Sequence, residues 1–246
     1  MQFHLLPIRS ANAAENMAAD FLLLKRYPND GDSPPPPPLR FRHYGWHRPA
    51  FTFGYGQKIA DVRTQLPAEA GDDFAPCEVI RRPSSGGIFD HRDDWAYALV
   101  IPRGHDLEAV GALESYRILH RALADALAAQ GANVRLHDSP QKNEQCVPPP
   151  APFDVIDART GQKIATAAQK RTKHGLLFQG TISRPAAERA GGGGGLDWDV
   201  FYETFIDGLT AALGAEAQEI PWPDFAEGEL DALAEQYASP EWNEFR

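Results

Sequence analysis

Between Asn12 and Lys25, apolar side chains recur at helical spacing. Met17, Phe21, Leu22 and Leu24 follow a candidate Asn12 cap, which predicts an amphipathic first helix. A longer stripe, Leu113, Tyr116, Leu119, Leu123 and Leu127, predicts a helix over 112–130 that stops where Gly131 can take a left-handed cap. Phe201, Phe205, Leu209 and Leu213 mark one face of a third helix. The rest of the apolar pattern has a shorter period. Aromatic and β-branched residues alternate with glycine turns from Phe41 to Gly56, and 78–80 and 95–101 read as buried strands. Further strands are predicted at 133–136, 153–156, 163–168 and 176–182, around short turns. Helices and strands mix without strict βαβ repetition, so the expected class is α/β (α+β), a mixed sheet flanked by helices.

Two segments interrupt this pattern. Residues 28–38, PNDGDSPPPPP, combine turn formers with prolines that cannot donate backbone hydrogen bonds, which predicts an exposed polyproline spacer. The glycine run at 191–195 reads as a flexible linker. A length of 246 residues with 43% hydrophobic content suits one sizeable core, so one domain is expected over 1–246. The net charge of −10 argues against nucleic acid or an anionic membrane surface as partner. No apolar run approaches the roughly 20 residues that span a bilayer. Arg9 and Glu15 come too early for a secretory core, so a cytoplasmic protein is expected. Cys77 and Cys146 are far apart and outside any CxxC pair, which indicates neither a disulfide framework nor a metal site.

Three segments carry candidate chemistry. In RRPSSGGIFDHRDDWAYALV, residues 81–100, a Ser-Ser-Gly-Gly turn could offer backbone N–H groups to a carboxylate, thioester carbonyl or phosphate, with Arg81 and Arg82 beside it. A glycine turn between strands is more often a plain hairpin. There is no GxxxxGK[ST] or GxGxxG, so no ordinary nucleotide loop is supported. In TGQKIATAAQKRTKHG, residues 160–175, Lys163 opens a strand of small residues where an ammonium can approach a buried acyl group. A solvated hairpin lysine is the plainer alternative. Cys146 lies in a loop before a proline-rigidified strand, accessible enough for nucleophilic chemistry, whereas Cys77 looks structural. A lone cysteine is more often inert.

Taken together, these segments resemble the lipoate–protein ligase and octanoyltransferase family. The resemblance rests on NMAAD at 16–20, GWHRPAFTFGYGQ at 45–57, RR-x-[ST]-x-G-G at 81–87 followed by His91, GQKIATAAQKR at 161–171, QGTI at 179–182 and LAEQYASPEWN at 233–243. It implies a catalytic domain like those of biotin ligases and class II aminoacyl-tRNA synthetases. It also implies an acyl pocket formed by Arg82, Ser84, Ser85, Gly86, Gly87 and His91, with Ala165, Thr166, Ala168, Gln179 and Gly180 along the acyl chain. Lys163 matches the lysine of the family motif, and Cys146, eight residues before Asp154, matches the acyl-carrying cysteine of the transferase branch. Three departures narrow or repolarise the pocket: Ser85 replaces a glycine, ATAAQ replaces A-Gly-Ser-Ala-Gln, and Gln179 replaces a histidine.

The resemblance implies a two-step transfer. The Cys146 thiolate takes octanoate from acyl carrier protein, and a lysine of a lipoyl domain then receives it; that domain would belong to glycine cleavage H protein or a 2-oxoacid dehydrogenase E2. Lys163 would stabilise the thiolate and the oxyanion, with no cofactor needed. The alternatives are an ATP- and magnesium-dependent ligase acting through lipoyl-AMP, and a non-catalytic protein that binds acyl groups or lipoyl domains. Both protein partners are expected to meet the basic cluster of Lys170, Arg171, Lys173 and His174.

Overall fold

The computed structural model describes residues 1–26, 37–67, 77–138 and 150–246, so Cys146 and most of the proline-rich stretch lie outside the described residues. Strands β1 (Gln2–Leu5) and β2 (Arg9–Ala11) precede helix α1 (Ala13–Lys25); β3 (Leu39–Trp46), β4 (Ala50–Phe53), α2 (Ile59–Arg63), β5 (Glu78–Arg81), β6 (Ile88–Asp90) and β7 (Asp94–Pro102) follow. After α3 (Asp106–Ala109) and α4 (Ala112–Ala129) come β8 (Val134–Leu136), β9 (Val155–Asp157) and the hairpin β10 (Lys163–Thr172) with β11 (Gly175–Ser183). The chain continues through α5 (Arg184–Ala190), α6 (Trp198–Leu213), β12 (Glu216–Glu219), α7 (Glu229–Ala238) and α8 (Pro240–Asn243).

Among the described residues, the main sheet runs β12-β1-β3-β7-β11-β10-β9-β8, with β2 added beside β3, and a small second sheet runs β5-β4-β6. The main sheet is mixed. β1 is parallel to both its neighbours, whereas β3, β7, β11, β10, β9 and β8 pair antiparallel in succession. Side chains alternate across a strand, so β7 sends Trp95, Tyr97, Leu99 and Ile101 to one face. There they pack with Leu119, Leu123 and Leu127 of α4 and Phe201, Phe205 and Leu209 of α6. Ala96, Ala98 and Val100 take the other face, against Met17 and Leu24 of α1 and Tyr237 of α7. Each fully buried Leu or Phe contributes about 2 kcal/mol, so these stripes decide where the helices sit.

Helix α1 is capped as expected, with the Asn12 side chain accepting from the Glu15 N–H at 2.8 Å. It is not amphipathic: Ala13, Ala14, Asn16, Met17, Ala18, Ala19, Asp20, Leu22, Leu23 and Leu24 are all buried, because the sheet covers one side and α7 another. In α4 the expected stripe holds from Tyr116 onward, but Leu113 is 60% exposed at the first turn. The 191–195 glycines form a hydrogen-bonded reversal at the end of α5 rather than an open linker. The Gly191 and Gly193 N–H groups bond to Ala187 O and Glu188 O, and Gly192, Gly193 and Gly195 take positive φ.

Candidate active site

The loop from Arg82 to Gly87 joins β5 to β6, and these strands do not pair with each other; both flank β4. The Ser-Ser-Gly-Gly stretch is therefore a crossover at the end of β4, not a hairpin. Arg82 holds it from within. Its guanidinium donates to Thr52 O at 2.7 Å, Thr52 Oγ1 at 2.9 Å, Ser85 O at 3.1 Å and Gly87 O at 2.8 Å, and it lies 3.7 Å over the Phe89 ring. Burial lowers this guanidinium to about 9, which leaves it charged at neutral pH but spent on the loop itself. Gly86 sits at φ 100, and a Cβ there would press on Arg82 Nη2 and on the Ala168 Cβ. Gly54 allows the Gly86 carbonyl to approach so closely that any Cβ at 54 would overlap it. The loop rests on β10, with Ser85 Oγ donating to Gln169 O at 3.3 Å.

Beneath the loop runs a buried chain of polar groups. Ser84 Oγ donates to Gln179 Oε1 at 2.6 Å, and Gln179 Nε2 donates to Asp20 Oδ2 at 2.7 Å. Asp20 Oδ1 in turn accepts from Arg42 Nε at 2.7 Å, and Arg42 Nη2 reaches Asn16 O and Oδ1 at 3.0 Å. Complete burial raises the Asp20 carboxyl above the ordinary carboxylate range, an effect opposed by Arg42 and the Gln179 bond. His91 belongs to a neighbouring chain. Its Nε2 lies 2.7 Å from Thr52 Oγ1 and its Nδ1 2.6 Å from Asp94 Oδ2, which also accepts from Thr181 Oγ1 at 2.6 Å. The Thr52 hydroxyl accepts from Arg82, so its own proton is available for Nε2, and Nδ1 carries the proton that faces Asp94.

Lys163 stands at the start of β10, where it pairs with Ile156 just before a shift in register. Its Nζ lies 3.3 Å from Asp154 Oδ2; the lysine side chain is 23% exposed and the carboxylate completely buried. Asp154 also accepts from the Ala151 N–H at 2.8 Å and from the Tyr116 hydroxyl at 2.8 Å. One charge is thus sealed in the protein while its partner keeps an opening to solvent. Ala168, under Gly86, is five residues further along β10, about 16 Å at the usual strand rise.

Of the expected pocket residues, Arg82, Ser84, Ser85, Gly86, Ala168 and Gln179 come together at the loop, and His91 joins them through Thr52. At Gly87 an added Cβ would meet nothing within 4 Å. In register, Thr166 faces Thr181 and Ala168 faces Gln179, so these four share the face on which Ser84 bonds. Gly180 lies on the opposite face, where a Cβ would overlap the Tyr97 ring, and Ala165 packs into that same helix-covered core. The basic cluster divides likewise. Lys170 lies 5.2 Å over the Tyr55 ring and Arg171 donates to Glu108 O at 2.6 Å, whereas Lys173 and His174 form the hairpin turn about 30 Å along the strand from Lys163.

The partners of these side chains carry little local signal in the sequence. Asn16 and Asp20, four residues apart in a helix otherwise lined with Ala, Met and Leu, were the available sign of a buried polar pair. Nothing local marks Arg42, Thr52 or Asp94. The C-terminal Trp-Asn element also gains a purpose. Arg81 donates to Trp242 O at 3.0 Å, Asn243 O at 2.8 Å, and Tyr55 O and Gln57 O at 2.7 Å, so it ties α8 to the segment after β4 beside the glycine loop.

Residues 12–186 match the family model described as the lipoyl protein ligase A/B catalytic domain, well over half of the chain. The chain belongs to this family. Among its relatives is octanoyltransferase LipM of Oceanobacillus iheyensis, 32% identical over 174 residues, which are 70% of this chain and 60% of that protein. LipM of Symbiobacterium thermophilum is 30% identical over 176 residues, 68% of this chain and 60% of that protein. The chain thus spans about 60% of the length of these relatives. The lipoyl ligase fold is equally plain in solved structures. The putative lipoate protein ligase of T. acidophilum with bound lipoic acid aligns over 100% of both chains with TM-score 0.73 and 18% identity. Lipoate-protein ligase A bound with ATP aligns over 99% of this chain and 98% of that one, with TM-score 0.73 and 17% identity. Among the described residues, no helix is long and apolar enough to cross a membrane.

Proposed function

We propose that this chain is an octanoyltransferase that moves an acyl group from acyl carrier protein to a lysine of a lipoyl domain through a thioester on Cys146. The observation that carries the reading is the Lys163 ammonium, held at 3.3 Å by the buried Asp154 carboxylate yet open to solvent, on the strand that also supports the glycine loop. The octanoyltransferase relatives support the same direction. In the first step the Cys146 thiolate attacks the thioester carbon, a new C–S bond forms and the carrier leaves as its thiolate. In the second step the lipoyl-domain amine attacks the acyl-enzyme, the amide forms and the cysteine sulfur is released. Lys163 stabilises the thiolate and the carbonyl oxygen as charge develops on it, because a cation already fixed by Asp154 needs little reorganisation. Thr166 and Ala168, small and on the loop-facing side of β10, would line the acyl chain. Arg82, Ser84, Gln179 and His91 hold the walls in place rather than touch the reacting atoms, since all four are buried and bonded to neighbouring groups of the protein. The reading requires no cofactor.

Incubation with octanoyl-acyl carrier protein, followed by intact-mass measurement, tests it. One octanoyl adduct that disappears in Cys146→Ala is the expected result. Formation of an acyl-adenylate from ATP and magnesium that survives Cys146→Ala would replace it with the ligase mechanism. Tight binding of octanoate or a lipoyl domain without turnover in either assay would replace it with a binding role.

A further inference from the structure

Two side chains one turn apart on α4, Tyr116 and His120, reach the Lys163 corner from the helix-covered face. Strand β9 stops pairing with β10 at Ala165, so the Ala167 N–H and C=O that point the same way have no strand partner there. The Tyr116 hydroxyl takes them both: it accepts from the Ala167 N–H at 2.8 Å and lies 2.8 Å from Ala167 O and 2.8 Å from Asp154 Oδ1. A phenol has one proton, so it bridges the carboxylate and the strand by sharing. His120 packs tilted against the Tyr116 ring, with centroids 4.0 Å apart. Its Nδ1 lies 2.7 Å from Phe153 O, and because a carbonyl only accepts, that nitrogen carries the proton. Phe153 is the one non-glycine residue with positive φ among the described residues, at 68°. A bulky side chain keeps that conformation only where its surroundings impose it. The Phe153 N–H is also held, by His137 O at 2.6 Å. The residue after this strained turn is Asp154.

We infer that Tyr116 and His120 are positioning residues for Lys163: the imidazole fixes the strained Phe153 carbonyl, the phenol ties the Asp154 carboxylate to β10, and together they keep that carboxylate on the ammonium. The inference rests on the reading of Lys163 as the cation of the transfer reaction. Neither residue touches the reacting atoms. Their effect is on where Lys163 stands, and misplacement by an ångström can cost up to about a hundredfold in rate.

Octanoyl transfer from octanoyl-acyl carrier protein to a lipoyl domain, measured with the full chain, separates the two claims. Full activity in Lys163→Ala would remove the underlying reading. With that variant inactive, Tyr116→Phe should lower kcat by about tenfold to thirtyfold while KM for the donor stays within about twofold. In an Asp154→Asn background the same change should cost less than about twofold, because its route through the carboxylate is already gone. Equal losses in both backgrounds, or no loss in either, would overturn the inference. His120→Asn keeps an N–H donor near Nδ1 and should hold kcat within about threefold, whereas His120→Leu should lose about tenfold. Should Asp154→Asn fall below detection, this pair decides: identical behaviour of the two His120 variants sinks the positioning role. Thermal unfolding of each variant establishes that it is folded.

Discussion

The glycine loop and the Lys163 corner, both built on β10, place their charges in opposite ways. Under the loop, Arg82, Arg42 and Asp20 are wholly buried, and every charge is turned inward onto carbonyls, hydroxyls or its opposite. At the corner, Asp154 is just as buried but its partner Lys163 keeps 23% of its side chain exposed. A buried charge already turned onto the protein's own groups is not presented to a substrate. Removing one member strands the other at high cost, so such a network specifies shape. A cation tethered at one end and open at the other can meet charge that appears during a reaction. On the proposed function, the first arrangement is scaffold and the second carries the chemistry.

This contrast is sharpest in activity. Lys163→Ala should lower octanoyl transfer by about a thousandfold, the scale of losing one preorganised oxyanion donor, with a loss of stability smaller than that of a fully buried pair, because the stranded Asp154 carboxylate still accepts from Tyr116 and Ala151; steady-state kinetics with unfolding curves checks both. The reverse split is expected at Asp20→Ala, which leaves the Arg42 guanidinium buried without its counter-ion. A loss of about 3–5 kcal/mol in urea unfolding should result, and an unchanged midpoint would show that the network is not scaffold.

A smaller effect separates pH dependence from chemistry. Burial pushes His43, stacked 4.2 Å from the Trp95 ring, down to about 4 from its ordinary 6.5. Between those values the unfolded chain binds a proton that the folded chain refuses, so stability rises with pH through this window and falls on acidification, by up to about 3 kcal/mol. The thermal midpoint should drop from pH 7 to 5. His43→Phe, which preserves the stack, should flatten the slope; an unaltered slope would assign the acid loss elsewhere, His120 being the next candidate because burial lowers it too. The smallest effect is expected at the hairpin turn. Lys173→Glu should change KM for either protein partner by less than about threefold, because the turn is about 30 Å along β10 from Lys163. A tenfold rise would return that turn to the docking surface.

Most elements with a long apolar period were legible in the chain itself. α4 and α6 repeat over four or more turns, and β7, β10 and β11 carry runs of apolar and small residues, so neighbouring side chains reinforce one reading. β1, β2 and β12 were not, and the polar β12 is a strand only because β1 offers it an edge. The loop motif, Lys163 and the family resemblance were equally present in the residues, and the domain match bears out the resemblance.

What the residues determined by themselves was local: periodicity, caps, turn glycines and the motif lysine, each set by near neighbours along the backbone. The tertiary structure alone decided which charges pair. It carried Arg42 to Asp20, Thr52 to Arg82 and His91, and Tyr116 to Asp154, across separations that no local pattern encodes. It also turned the glycine stretch from a hairpin into a crossover, because β4 enters between β5 and β6. The reason is physical: hydrogen bonds act over about 3 Å, and only folding brings distant parts of a chain within that range.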